Sequence, residues 1–445
     1  MNISKIETCY KDKLFLSKQK HDNSFSFDTI GIENNLINIY PNIEYQKIIG
    51  FGGAFTEAAG YSLQDLNEEK YTSALKEYFS SEGLSYSFCR THINSCDFSL
   101  GNYSYTNTPD LSKFDISHDI SYIIPMIKKA LKINPDIKLL SSPWSPPAFM
   151  KSNNDMNNGG KLIPEYKQLW ANYLVKYLEE YEKQGIHIEY MTIQNEPKAV
   201  QSWESCIYTS KEESDLVRNY IYPTFMNNNK FVKLLIWDHN KERLFNRADD
   251  ILNDMYNNSI ISGIAFHWYS GDHFENINLV RSIYPDKTLI ATEGCTGYSN
   301  FNPNDEVMNA EIYGHDYIGN LNSGANAQID WNMFLDNEGG PNHKNNYCNS
   351  PIMMNKDNTD YIKNLTYYYI GHFSKYIKPG AIRIAHSKYT NKFEITTFKN
   401  IDNSIIIVLM NTTTKIQDFT FCIDNMIYND NIKPHSILTY KIWSD

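Results

Sequence analysis

Tyr190-Met191-Thr192-Ile193-Gln194-Asn195-Glu196-Pro197 is the stretch from which this chain is best read. An apolar run beginning at Ile188 alternates as a strand does and ends in an amide, a carboxylate and a proline. Proline has no N–H to give to a sheet ladder, so the strand stops there and leaves Glu196 at its C-terminal end. Lys287-Thr288-Leu289-Ile290-Ala291-Thr292-Glu293-Gly294 repeats the design, closing on a glutamate and a glycine. Two strand-end glutamates point to a site built on paired carboxylates.

Outward from these runs, strand and helix patterns alternate eight times. The expected strands are Ile48–Phe55, Ser85–Ile93, Ile137–Ser142, Ile188–Gln194, Val232–Trp237, Ile261–Trp268, Thr288–Thr292 and Ala327–Phe334. Helical patterns lie near 65–80, 117–133, 164–184, 211–228, 243–257, 274–283, 304–321 and 361–377. Alternation of this kind predicts a parallel sheet, because each crossover returns on the same side. Eight units predict closure into a (β/α)8 barrel, with the distinctive residues at the strand C-termini where barrels place their chemistry. An open doubly wound sheet is the alternative, but no GxGxxG or P-loop follows any strand.

Lys378-Pro379-Gly380 stops the last helix, and only β-patterned runs follow: Lys392–Phe398, Ser404–Leu409 and Ser436–Ile442. A tail this small predicts a β-sandwich completed by N-terminal runs such as Lys13–Ser17 and Leu36–Tyr40. The expected domains are therefore 1–43 (strands joining the sandwich), 44–377 (barrel) and 378–445 (sandwich) in this α/β chain of 445 residues.

The net charge of −11, with no long basic block, excludes nucleic acid as a partner and disfavours an anionic membrane surface. No apolar stretch is long enough for an integral membrane segment. Met1–Lys20 carries charges throughout and lacks a signal-peptide core, so the expected location is cytoplasmic. Seven irregularly spaced cysteines without a CxxC pair read as reduced thiols, and no metal or other cofactor is expected. The oligomeric state is not legible. The 33 Tyr and 22 Phe are read as compositional bias rather than as a sign of sugar stacking.

The ends of strands four and seven lie on nearly opposite sides of one barrel mouth, so Glu196 and Glu293 can meet across a substrate. Retaining glycosidases need two carboxyls about 5 to 5.5 Å apart, one attacking the anomeric carbon and one protonating the leaving oxygen. Glu196 is the candidate acid/base and Glu293 the candidate nucleophile. Mutual repulsion is expected to keep one of them protonated near neutral pH.

At this point the chain resembles glycoside hydrolase family 30, and most closely its glucosylceramidase branch. The resemblance rests on Gly50-Phe51-Gly52-Gly53-Ala54-Phe55-Thr56-Glu57-Ala58-Ala59, Ser95-Cys96-Asp97-Phe98-Ser99, Ser142-Pro143-Trp144-Ser145-Pro146-Pro147, Asn195-Glu196-Pro197, His267-Trp268-Tyr269, Thr292-Glu293-Gly294-Cys295, Asp330-Trp331-Asn332, Glu338-Gly339-Gly340-Pro341-Asn342 and Gly371-His372-Phe373-Ser374-Lys375, in the family's order. It implies a retaining exo-β-glycosidase acting on a small or glycolipid β-glycoside: a β-glucosidase or glucosylceramidase, with β-xylosides, β-fucosides and β-1,6-glucans as other substrates of the family. It further implies that Glu57, Trp144, Asn195, Trp331 and Asn346 contact the sugar. Arg90 would orient Glu293, Tyr269 would reach Glu293 by its hydroxyl, and His267 would support Glu196. Two departures stand out. Glu57 is one methylene longer than the aspartate of the animal glucosylceramidases there, and His343 stands where those enzymes carry a tryptophan after the Gly-Gly-Pro-Asn turn. A non-catalytic carbohydrate-binding barrel, the reading from another class, would be expected to lack one glutamate; neither is missing.

Overall fold

A computed structural model describes residues 1–20, 23–297 and 305–444. Eight parallel strands, numbered here β1 to β8, form a closed barrel: Gly50–Phe55, Phe88–Ile93, Lys138–Pro143, Tyr190–Thr192, Lys233–Asn240, Gly263–His267, Thr288–Glu293 and Ala327–Asn332. Each pairs with the next in sequence, and β8 closes on β1 through Ala327 opposite Gly50. At Gly52 a side chain would meet the Phe88 carbonyl at 1.8 Å, so only glycine lets β1 and β2 approach this closely.

Period-two alternation within the strands divides the barrel interior into layers. A lower apolar layer holds Phe88, Leu140, Tyr190, Leu235, Ala265, Ile290 and Ile329. Two residues further along five of these strands stand Arg90, Ser142, Thr192, His267 and Thr292, all buried. The apolar plug therefore carries a polar layer directly above it, at the C-terminal mouth. In β5 the alternation would bring Trp237 into that layer, but a bulge intervenes. Trp237 pairs with Ala265 and His239 with Phe266, leaving Asp238 as the extra residue. Trp237 (φ 75°) and Asp238 (φ 50°) both take left-handed backbone, which turns Asp238 inward.

The helices differ in detail from the sequence patterns. The 65–80 region holds Glu68–Phe79 preceded by a short helix, Glu57–Ser62, and the 211–228 region is split by a π-turn at Val217–Ile221 before Pro223. The expected 304–321 helix begins at a residue outside those described, and Glu306–Ser323 is observed. Among the described residues no helix is long and apolar enough to cross a membrane.

Phe334–Leu335, Ile352–Met354 and Tyr361–Lys363 form a small three-stranded sheet, and a ten-stranded sheet is made by Asn2–Cys9, Leu14–Gln19, Ser26–Phe27 and Leu36–Lys47 with Ile382–Lys388, Glu394–Lys399, Ile405–Asn411, Gln417–Ile423, Met426–Ile432 and Ser436–Trp443. The sheet curls over itself into a sandwich. Phe421 and Tyr440, on strands far apart in the hydrogen-bonded order, stack edge to face at 5.1 Å in its core. Five of its strands, Asn2–Cys9, Ser26–Phe27, Ile382–Lys388, Gln417–Ile423 and Met426–Ile432, lie outside the runs named from the sequence. The sandwich is fastened to the barrel's last helix by His372, whose ring nitrogens meet Thr8 and Thr439 hydroxyls at 2.8 Å each.

Candidate active site

Glu196 and Glu293 line one pocket at the barrel mouth, with Asp97, Trp144, Asn195, Tyr269, Trp331 and Asn346 among its other walls. The backbone at the end of β4 is anchored on both sides: the Asn195 N–H donates to the Pro143 carbonyl (2.8 Å) and the Glu196 N–H to the Asp238 carbonyl (2.9 Å). Glu196 itself sits at φ 46°, a left-handed conformation that costs a non-glycine residue about 1–2 kcal/mol and is sustained by those two anchors.

Arg90 organises the floor. Its fully buried guanidinium donates to Ser142 (3.0 Å), Glu293 (2.6 Å), Asn195 (2.9 Å) and Asp238 (2.8 Å). Its plane lies 4.7 Å from the Trp144 ring and 5.5 Å from the Trp331 ring, and those two indoles stack on each other at 5.2 Å. The second Glu293 oxygen accepts a hydrogen bond from the Tyr269 hydroxyl at 2.9 Å. Both oxygens of Glu293 are thus held by donors that carry no acidic proton to exchange near neutral pH.

Glu196 has a different partner. His267 stands between it and Asp238, with Nδ1 3.2 Å from Glu196 Oε1 and Nε2 3.1 Å from Asp238 Oδ1. Burial pushes the His267 pKa down, but the carboxylates of Glu293, Asp238 and Glu196 outweigh it and lift it to about 9. His267 is therefore an imidazolium at neutral pH, the only form that can donate from both nitrogens.

This arrangement corrects the expected protonation. Burial acts to raise the Glu196 pKa, yet the His267 hydrogen bond and the nearby His239 bring it below the ordinary glutamate value. Repulsion by Glu293 does not leave a proton resident on Glu196; the proton sits on His267, aimed at Glu196.

Asp238 escaped the sequence reading. It is fully buried and accepts from Arg90, His267, Thr192 (2.6 Å) and Thr292 (2.6 Å). Against the penalty of burial, Arg90, His267 and Thr192 hold it far below the usual carboxylate range. One carboxylate thereby braces both the arginine that touches Glu293 and the histidine that touches Glu196. Period-two alternation points to Trp237 instead, and only the bulge puts Asp238 in its place.

Glu57 is a second correction. Expected to read sugar hydroxyls, it is buried and absent from the residues lining the pocket. Its oxygens accept from the Leu100 N–H (2.9 Å) and face His118 Nε2 (2.5 Å). The acid that does line the pocket on this side is Asp97, in the quoted Ser95–Ser99 motif, where Asn346 Nδ2 donates to it at 3.1 Å. Burial first and the Glu293 charge second push the Asp97 pKa up to about 8. His343, at the other departure, has turned inward to Glu204 at 3.2 Å.

Beyond Glu196 the pocket opens into a groove of about 470 Å³ lined by Gln201, His239, Asn240, Trp268, Asp272 and His315, among others. No group of three or more His, Cys, Asp or Glu side chains among the described residues could hold a metal ion.

Residues 48–377 match the Glycosyl hydrolase family 30 TIM-barrel domain and residues 380–440 the Glycosyl hydrolase family 30 beta sandwich domain. Putative glucosylceramidase 4 of Caenorhabditis elegans is 32% identical over 432 residues, covering 90% of this chain and 82% of that protein. Among solved structures, SrfJ from Salmonella typhimurium superposes with a TM-score of 0.96 at 36% identity, covering all of both chains. The endo-beta1,6-glucanase BT3312 superposes with a TM-score of 0.91 at 28% identity, over 100% of this chain and 99% of that one.

Proposed function

We propose, because this chain belongs to glycosyl hydrolase family 30 and is a glycoside hydrolase, that it is a retaining exo-β-glycosidase acting on glucosylceramide or a related β-glucoside. The observation that carries the reading is the unequal equipment of two glutamates in one pocket. Glu293, held by Arg90 and Tyr269, is the nucleophile. Glu196, paired with His267, is the acid/base.

In the first step a Glu293 oxygen bonds the anomeric carbon as the glycosidic C–O bond breaks. The leaving oxygen takes a proton that Glu196 relays from His267, and the second step returns that proton by the same route. In the second step Glu196 takes a proton from water, whose oxygen displaces Glu293 from the sugar. Asn195, Trp144, Trp331 and Asn346 line the place of the sugar, and Asp97 joins them. Cytoplasmic action belongs to the same proposal, supported by seven unpaired cysteines.

A second reading, β-1,6-glucan as substrate, is favoured by the groove beyond Glu196, whose carboxamide, imidazole and carboxylate groups suit a further sugar. Side-by-side assays on aryl β-glucoside, glucosylceramide and a β-1,6-linked glucan separate the two. A 2-fluoro-glucoside that traps the covalent intermediate should label Glu293; labelling of another residue, or no labelling with inverted product, would overturn the mechanism.

A further inference from the structure

Three of the seven cysteines, Cys96, Cys295 and Cys348, lie in the apolar cluster around the pocket with Trp144 and Trp331. Cys295 lines both the pocket and the groove, two residues beyond Glu293, and Cys348 lines the pocket. The mechanism proposed above uses neither thiol.

Their relative placement follows from the backbone. Gly297 forms an antiparallel bridge with Cys348, and the Asn349 N–H donates to the Thr296 carbonyl at 2.9 Å. Cys295, two residues before Gly297, is therefore diagonal to Cys348 on the same face. Glycine permits this: a side chain at Gly297 would meet the Cys348 Cβ at 2.5 Å. Burial, and then the hydrogen bond with the Cys295 thiol, raise the Cys348 thiol well above its ordinary pKa. Tyr269 closes the arrangement, its hydroxyl 3.5 Å from Cys295 Sγ and 2.9 Å from Glu293.

Diagonal neighbours stand roughly 7–8 Å apart, beyond the usual Cα span of a disulfide, about 4.4–6.8 Å. Two metal–sulfur bonds of about 2.3 Å each bridge a wider gap than one S–S bond. We propose that Cys295 and Cys348 form a two-coordinate site for a soft thiophilic cation of the Cu(I) class in the wall of the pocket, and that filling it blocks the pocket. On binding, two S–H bonds break, two metal–sulfur bonds form and two protons leave to solvent, with no change of oxidation state. Because each metal–sulfur bond displaces a thiol proton, affinity rises with pH.

The test uses Ag(I) as the probe on the full chain in chloride-free buffer. Native mass spectrometry should show one silver per chain at equimolar metal, with two protons released per ion, and aryl β-glucoside hydrolysis should fall in step and recover on adding dithiothreitol. Cys295→Ser and Cys348→Ser, with Cys348→Ala as a second substitution at the smaller site, should each bind silver about a hundredfold more weakly, since a chelate of two becomes a single contact. Cys206→Ser, buried elsewhere, should bind as the parent does. Equal silver binding by parent and pocket variants, or more than one tight silver independent of these thiols, would overturn the site. Binding and proton release are read without catalysis, so a parent chain that takes silver yet hydrolyses no β-glucoside would sink the proposed function alone.

Discussion

At the end of β7, Glu293 is gripped by an arginine and a tyrosine hydroxyl, groups whose protonation does not change near neutral pH. At the end of β4, Glu196 faces a histidine whose pKa of about 9 lies within reach of solution conditions. Both glutamates close an apolar strand in the same barrel, and their own sequences barely differ in design. What distinguishes them is the neighbour each receives from another strand: Arg90 from β2 and His267 from β6. A permanent cation suits a group that must stay ionised to attack, and a titratable one suits a group that must give and retake a proton.

Replacing each glutamate by its amide is the sharpest way to break this comparison. Glu293→Gln should reduce turnover about 10⁴-fold or more on every substrate, because the covalent step proposed for it is lost. Glu196→Gln should cost about 10²- to 10⁴-fold on substrates with poor leaving groups and far less on a dinitrophenyl glycoside, which needs no proton. Equal losses of Glu196→Gln on both substrate types would remove it from the acid role.

A smaller effect is expected from Arg90→Lys. One ammonium cannot reproduce four hydrogen bonds directed to Ser142, Glu293, Asn195 and Asp238, and Asp238 and Glu293 would lose the planar partner between them. The variant should lose about 10²-fold in kcat and about 3–5 kcal/mol of stability, read by initial rates and denaturant melts. Full activity in this variant would show that Glu293 needs no guanidinium.

The mildest prediction concerns His267→Gln and is read in pH. The histidine's pKa is raised on folding from about 6.5 to about 9, so the stability it contributes is fully present below pH 6.5 and is lost as pH climbs through about 9. The parent should therefore melt at lower temperature as pH rises across that window, and the variant should show a flatter dependence. The basic limb of kcat/KM should also move to lower pH in the variant, because Glu196 must then hold the proton that His267 holds in the parent. An unmoved limb would separate His267 from the acid function.

The fold was largely legible because a barrel repeats one local pattern: all eight strands overlap the expected runs, and only Lys138–Pro143, Lys233–Asn240 and Thr288–Glu293 run past them, at their C-terminal ends. The shortest, Tyr190–Thr192, is trimmed from the expected Ile188–Gln194 because Asn195 and Glu196 leave the ladder to hydrogen-bond across to neighbouring strand ends. The sandwich was less legible, since runs such as Met426–Ile432 carry polar residues on the outer face and little apolar signal.

Apolar alternation and the strand-ending Asn195-Glu196-Pro197 and Glu293-Gly294 were enough, without coordinates, to determine the barrel and the two glutamates at its mouth, because both depend on residues adjacent in the chain. Which glutamate meets a fixed cation and which a titratable one, the bulge that turns Asp238 inward, and the loss of Glu57 to His118 and Leu100 were decided only by tertiary structure. Each depends on groups brought within hydrogen-bonding distance from different strands and loops, and a buried charge takes its character from whichever partners closure of the barrel delivers.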